Sequence, residues 1–241
     1  IESYNYFMNF VVYKTNTLKA AKNRIEELLK AVSRSDIDSP HIVIVPDRAS
    51  LAAERSMLAA VGGSFNIQVF TFNRYAGLIA PETLKPLSGQ MAVLEMMKVI
   101  EQNADRLVCF SGAGNTEGFA RKIYDVISLL KYNRISPEKL LCACDDKALS
   151  LKLKDIALVY SAFQASVENR YLDSADKLET LLNAVGSSEQ VKKSVYYIYD
   201  FDGLSVQEEA IVESLVRYSR GVYACLLYTS PSPRDRSLSR M

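Results

Sequence analysis

HIVIVP, His41 to Pro46, leaves this chain few options. Behind His41 at its mouth, Ile42 to Val45 form a continuous β-branched apolar run, which fits a strand buried on both faces of a parallel sheet. Pro46 ends it, because proline brings no N–H to a sheet ladder. SLAAERSMLAAV follows and predicts a helix closed by Gly62-Gly63. NFVV (Asn9 to Val12) and FNIQVFTF (Phe65 to Phe72) predict a strand on either side of this unit. The first of them leads into a helix with Leu18, Ala21, Ile25, Leu28 and Leu29 on one face. Strands and helices alternating at this spacing predict an α/β fold with a parallel sheet.

From about Pro81 the texture becomes purely helical. SGQMAVLEMMKVIEQ is one predicted helix, and GFARKIYDVISLLKYN is another, with Phe119, Ile123, Val126, Ile127 and Leu130 inward. Ser136-Pro137-Glu138 supplies an N-cap with proline at the first helical position. KLKDIALVYSAFQASVENRY presents Leu153, Ile156, Ala157, Tyr160, Phe163 and Val167, and Ser174 is placed to cap the next helix. Strand character then returns in SVYYIYDF (Ser194 to Phe201), followed by a Ser205…Glu208 capping box and by GVYACLL. The expected organisation is an α/β domain over 1–80, a helical insertion over 81–190, and the α/β domain resumed over 191–224.

Chemistry is sparse. A formal net charge of +1 gives no global field toward nucleic acid or membrane. No apolar run is long enough to span a bilayer. Cys142-Ala-Cys144 is a lone close pair without a second pair or a nearby histidine, so no metal site is expected. His41 is the only histidine and has no nucleophile beside it in sequence, so no catalytic residue is assigned.

Where a phosphate-binding loop would follow the first strand, the chain reads VVYKTNTLKAAKNR. Lys14, Thr15 and Thr17 echo the end of G-x-x-x-x-G-K-[ST], yet no glycine precedes Gly62. Without glycine the loop cannot readily turn its N–H groups around a triphosphate. A plain strand-to-helix turn with a solvated lysine is the stronger reading. Asp200, at the end of VYYIYDF, stands where a magnesium-binding carboxylate would sit. An ordinary turn aspartate is again the simpler explanation. Thr71, Phe72 and Arg74 bring a hydroxyl, a ring and a guanidinium together. They suit stacking on a base and a reach to phosphate, while Phe72 suits a core position equally well. Lys131, Tyr132 and Arg134 form a second basic cluster, explained equally by a solvated helix C-terminus.

HIVIVPDRASLAAERSML, VFTFNRYAGLI, GFARKIYDVISLLKYNRISPEKL, KLKDIALVYSAFQASVENRYLDSADKL and VYYIYDFDGLSVQEEAIVESL occur in one order from about Asn9 to Ala224. Together they resemble the N-terminal region of the B subunit of AddAB-type (RexB) ATP-dependent helicase–nucleases. The resemblance implies a RecA-like domain of superfamily 1 helicase type, inactive as a motor, carrying an all-helical insertion. It implies a scaffold that handles single-stranded DNA during double-strand-break processing. The expected setting is the bacterial cytoplasm, with the A subunit as partner in a heterodimer and no membrane. Thr71, Phe72 and Arg74 match a helicase segment near single-stranded DNA. ATP and magnesium belong to the complex. An iron–sulfur cluster and magnesium belong to a nuclease domain further along such chains, so this stretch is expected to hold no cofactor. The glycine-rich GKT loop of many members is replaced here by VVYKTNTLKAA, and the acidic position of the family strand is shifted by one to Asp200. An autonomous P-loop-like NTPase or kinase with a degenerate loop and a non-enzymatic α/β interaction module are the alternatives.

CLLYTSPSPRD, Cys225 to Asp235, breaks the strand pattern. It resembles the translation of a transposase-type sequencing adapter, codon for codon, so 225–241 is expected to be non-native and is kept out of the fold reading. The chain also begins at Ile1 rather than Met, which leaves room for an upstream segment.

Overall fold

The structure is a computed structural model that describes residues 2–7, 9–36, 38–63, 65–80, 84–113, 116–142 and 147–227, with the side chains of 2–7, 34, 147–148 and 226–227 left aside. Cys144 and the tail beyond Leu227 fall outside the described residues. In chain order the elements are β1 (Glu2–Phe7), β2 (Phe10–Thr15), α1 (Leu18–Ser35), β3 (His41–Ile44), α2 (Ser50–Val61), β4 (Ile67–Phe70) and α3 (Phe72–Ile79). Then come β5 (Lys85–Pro86), α4 (Gly89–Gln102), α5 (Glu117–Tyr132), α6 (Pro137–Leu141), α7 (Lys147–Val167), β6 (Tyr171–Leu172) and α8 (Ser174–Val185). The described chain closes with α9 (Glu189–Lys193), β7 (Val195–Ile198), α10 (Val206–Tyr218) and β8 (Gly221–Leu227).

Two compact units result: Ile1–Ile79 with Leu181–Leu204 and Glu209–Met241, and Ala80–Thr180 with Ser205–Glu208. The first is an α/β unit around a six-stranded sheet of order β1-β2-β8-β7-β3-β4. Five strands run parallel, and β1 is an antiparallel edge strand on β2. β8, last in sequence, lies between β2 and β7, with Val222 opposite Phe10 on one side and Tyr196 on the other. Such an order is consistent with a RecA-like α/β fold. All four residues of β3 and of β7 are buried, as unbroken apolar runs require. One face packs Val43, Val45 and Tyr197 against Ala21, Ile25 and Leu29 of α1 and Ala53 and Met57 of α2. On the other face Tyr75 of α3 meets Tyr196 edge-on at 5.7 Å.

Several local expectations hold. α2 ends in left-handed Gly62, φ 76°, where a residue with a Cβ would be strained. Ser136 caps α6 with Pro137 behind it, and Ser205 and Glu208 cap each other reciprocally. Other expectations are corrected. The third strand stops at Phe70, and Phe72 already opens α3, because Thr71 accepts from the Arg74 N–H at 3.4 Å and starts a helix. Asp173 rather than Ser174 caps α8, its Oδ1 accepting from the Asp176 N–H at 2.8 Å. The β1 hairpin edge and the two-residue β5–β6 pairing were not foreseen.

The second unit is helical, built on Met96, Ile100, Ile123, Ile127, Tyr160 and Phe163. Lys131 is buried in it rather than solvated. Its ammonium lies 2.5 Å from Asp173 Oδ2 and 2.7 Å from Asp176 Oδ1. Arg134, with φ 56°, pairs with Glu179 at 2.9 Å. Lys131 is therefore committed to an internal carboxylate cluster, while Arg134 stays in an open pair with Glu179.

His41 is buried in the α/β unit. Its Nδ1 accepts from the Tyr197 hydroxyl at 3.2 Å, and Nε2–H donates to the Asp36 carbonyl at 3.3 Å, an assignment that fits the neutral ring. Burial pushes its pKa below the ordinary 6.5, outweighing the hydrogen bond to the Asp36 carbonyl and the Asp36 carboxylate, which favour the cation; Arg220 adds to the lowering. Stability contributed by the neutral ring is therefore complete above pH 6.5 and falls as the pH drops toward the lowered folded value. Urea titrations should show a decline from this ring of at most about 1.4 kcal/mol per pH unit below that point. His41→Gln should flatten the decline, and an unchanged slope would remove His41 as its source.

Candidate functional site

In an open parallel sheet, the carboxyl ends of the strands and the loops leaving them form the natural crevice. Here that edge carries a cleft of about 390 Å³ lined by Leu18, Lys19 and Lys22 of α1, Ala49, Ala52 and Ala53 around the start of α2, and Tyr199 and Asp200 beyond β7. Its position is that of a nucleotide site.

The connection from β2 to α1 is only Asn16-Thr17. A P-loop spreads eight residues over the same crossing, so that successive N–H groups converge on phosphate. Thr17 is extended, φ −146° and ψ 148°, and its hydroxyl accepts from the Ala20 N–H at 3.1 Å. It is an N-cap, satisfying one of the orphan donors that a phosphate would otherwise engage. Lys14 and Thr15 belong to β2 itself, opposite Leu226 and Leu227 of β8, and consecutive strand residues face opposite sides of the sheet. Thr15 is buried and Lys14 is half-buried. Lys14, Thr15 and Thr17 are thus not brought together as a phosphate cradle.

Asp200 stands two residues beyond β7 with φ 70°, a left-handed conformation that aspartate tolerates better than most residues. Arg48, in the 3-10 turn after β3, donates through Nη2 to the Asp200 carbonyl at 2.6 Å and to Asp202 Oδ2 at 3.1 Å. Its Nη1 lies 3.7 Å from Asp200 Oδ1. β3 and β7 are neighbours with Ile44 opposite Ile198, so the two loops leave the sheet side by side. Sequence reading missed Arg48, because nothing local links it to a residue about 150 positions away.

Thr71 is buried and caps α3. Phe72 is buried, with its ring 5.6 Å from that of Phe201. Only Arg74 of the three reaches solvent. Its side chain is 53% exposed, pairs with Glu54 at 2.7 Å and lies 5.8 Å from the Phe70 ring. A pair this open contributes little and can be exchanged for another anion. The segment therefore offers a guanidinium on a rigid support, with its aromatic ring turned inward.

A family model described as ADDB, N-terminal matches residues 19–239. The chain belongs to this family. As an ADDB N-terminal region it is similar to proteins named as the B subunit of an ATP-dependent helicase/deoxyribonuclease. That of Clostridium botulinum strain Langeland is 30% identical over 208 residues, covering 83% of this chain and 17% of the relative. That of Geobacillus kaustophilus is 28% identical over 226 residues, covering 86% and 19%. That of Ruminiclostridium cellulolyticum is 27% identical over 208 residues, covering 81% and 18%. The chain thus spans less than one fifth of the length of these relatives. Among the described residues no helix is long and apolar enough to cross a membrane.

Proposed function

We propose that this chain is the motor-like N-terminal region of a helicase/deoxyribonuclease B subunit, a region that holds single-stranded DNA without turning over ATP. The reading places it in the bacterial cytoplasm, beside an A subunit, in double-strand-break processing for recombinational repair. The observation that carries it is the Asn16-Thr17 connection, two residues in a family whose relatives are named as ATP-dependent. The cleft's residues do not fit a magnesium nucleotide. The strand-to-helix turn is too short to wrap phosphates, and the α1 N-terminus is already capped. Any nuclease activity, cluster or catalytic metal belongs to parts of such proteins that this chain does not match.

On the same edge of the sheet Arg74 supplies the phosphate contact, with Thr71 and Phe72 holding the start of α3 rigid beneath it. The test is fluorescence anisotropy of a labelled oligonucleotide over a salt series, with a fluorescent ATP analogue and Mg²⁺ titrated in parallel. Weak DNA binding should fall steeply with salt. Arg74→Ala should weaken it about fivefold and lower the log–log salt slope by about 0.7, the loss of one single-strand phosphate contact. Saturable ATP binding would overturn the reading in favour of an autonomous NTPase. Absence of DNA binding at every salt would favour an interaction module.

A further inference from the structure

Asp200 lines the cleft, and Arg48 and Asp202 gather around it. Two carboxylates and a backbone carbonyl, from Asp200 and Asp202, converge on one guanidinium at 2.6–3.7 Å. An all-oxygen set of that kind is what hard divalent cations take. We infer that Arg48 is a built-in counter-ion that takes the place of a divalent cation at Asp200 and Asp202 and closes the cleft there to a metal-bound nucleotide. The inference deepens the reading of a domain without ATP turnover and rests on it.

Three observations converge. Asp200 Oδ1 is buried and accepts no hydrogen bond, so the Arg48 charge 3.7 Å away is its electrostatic partner. The planar guanidinium serves two oxygens from Nη2 while Nη1 faces a third, so its positive charge lies against all three. Among the described residues no group of three or more His, Cys, Asp or Glu could hold a metal ion. Two carboxylates alone cannot compete for a metal against a resident cation. Lys22, which lines the same cleft, pairs instead with Glu26 at 3.7 Å.

The clamp contributes little to stability. The Arg48 and Asp202 side chains are 51% and 79% exposed, and open ion pairs are screened. Substituting Arg48 should therefore leave the core folded, which makes occupancy testable apart from folding. Mn²⁺ is titrated by electron paramagnetic resonance, without nucleotide, into the whole chain and its R48Q, R48K and R48Q/D200N forms. R48Q should bind Mn²⁺ at least about tenfold more tightly than the parent, because a repelling unit charge within about 4 Å is gone. R48K should behave as the parent, and R48Q/D200N should lose what R48Q gained. R48Q binding no better than the parent overturns the inference.

Should R48Q melt early, the parent and its D200N form decide alone. Mn²⁺ held through Asp200 with Arg48 in place overturns the inference, and no Asp200-dependent binding supports it. Because this titration uses Mn²⁺ alone, it separates from the ATP test. A chain that binds ATP but refuses Mn²⁺ at Asp200 loses the functional reading and keeps the counter-ion. A chain that refuses ATP but binds Mn²⁺ there does the reverse.

Discussion

Lys131→Met should cost the helical unit about 3–5 kcal/mol, read from urea unfolding followed by circular dichroism. The Lys131 side chain is 8% exposed, its ammonium lies between Asp173 and Asp176, and Asp173 is itself buried. Burial pushes the Lys131 pKa down, but the two carboxylates outweigh it and leave the pKa raised, so the group is a cation in the fold. The Asp176 pKa is raised in turn, by burial and by Asp173, with Lys131 opposing. Methionine fills nearly the same volume, so the loss it causes is electrostatic: two carboxylates left facing each other without a counter-ion. The decisive comparison is Lys131→Met with Asp173→Asn. Asparagine still caps α8, since its side-chain oxygen can accept from the Asp176 N–H as Asp173 does now. The half-exposed Asp176 can then turn to water. The double variant should recover most of the loss and approach the parent, because a neutral replacement of a whole buried ionic group is often tolerated where removal of one member is not. If Lys131→Met alone proves neutral, the cluster is solvated in solution and its burial has been misread.

This cluster marks where sequence reading ends. KLKDIALVY, HIVIVP, Gly62, Ser136-Pro137 and Ser205…Glu208 are local signals, and each specifies its own strand, helix or cap within a few residues. Those elements appear where expected. Lys131 sits at a helix end where cations suit the macrodipole, and nothing nearby announces the acids 42 and 45 positions later that draw it inside. The same holds for β8. Its apolar run predicts a strand, but insertion between β2 and β7 is decided by pairing across more than 200 residues on one side. At the candidate site the legible part was negative: the missing glycines of the β2–α1 turn. The positive part, Arg48 on Asp200 and Asp202, depends on two loops that only the assembled sheet brings together. Phe72 failed differently. Its apolar context continued the strand pattern, while the Thr71 cap, a single hydrogen bond, decided for helix.

Asp155→Ala should be as damaging, through backbone rather than side-chain partners. Asp155 lies in α7, 2% exposed, and its carboxylate receives the N–H groups of Val108 at 3.1 Å, Cys109 at 2.8 Å and Phe110 at 3.0 Å. Three successive amides of an irregular segment have no ladder to join, and the buried Asp155 carboxylate is where their N–H groups are satisfied. The carboxylate satisfies all three at once and fixes the chain between the turn at Ala104–Arg106 and α5. Hydrogen bonds to a charged acceptor contribute about 1.5–3 kcal/mol each, and they share one group, so they do not add fully. Alanine should therefore cost about 3–5 kcal/mol. Asparagine separates the contributions. Its single oxygen can stand where Oδ2 does and keep all three N–H groups, since Val108 reaches Oδ2 as well as Oδ1 at 3.1 Å. That oxygen is neutral, however, and hydrogen bonds to a neutral acceptor contribute about half as much as those to a charged one. About half the loss should remain in Asp155→Asn. Hydrogen exchange gives the more direct reading, because amides 108–110 should lose protection in the alanine form well before α7 itself does. Equal protection in parent and alanine forms would mean that the segment is held by packing of Phe110 and its neighbours, and that the carboxylate is incidental.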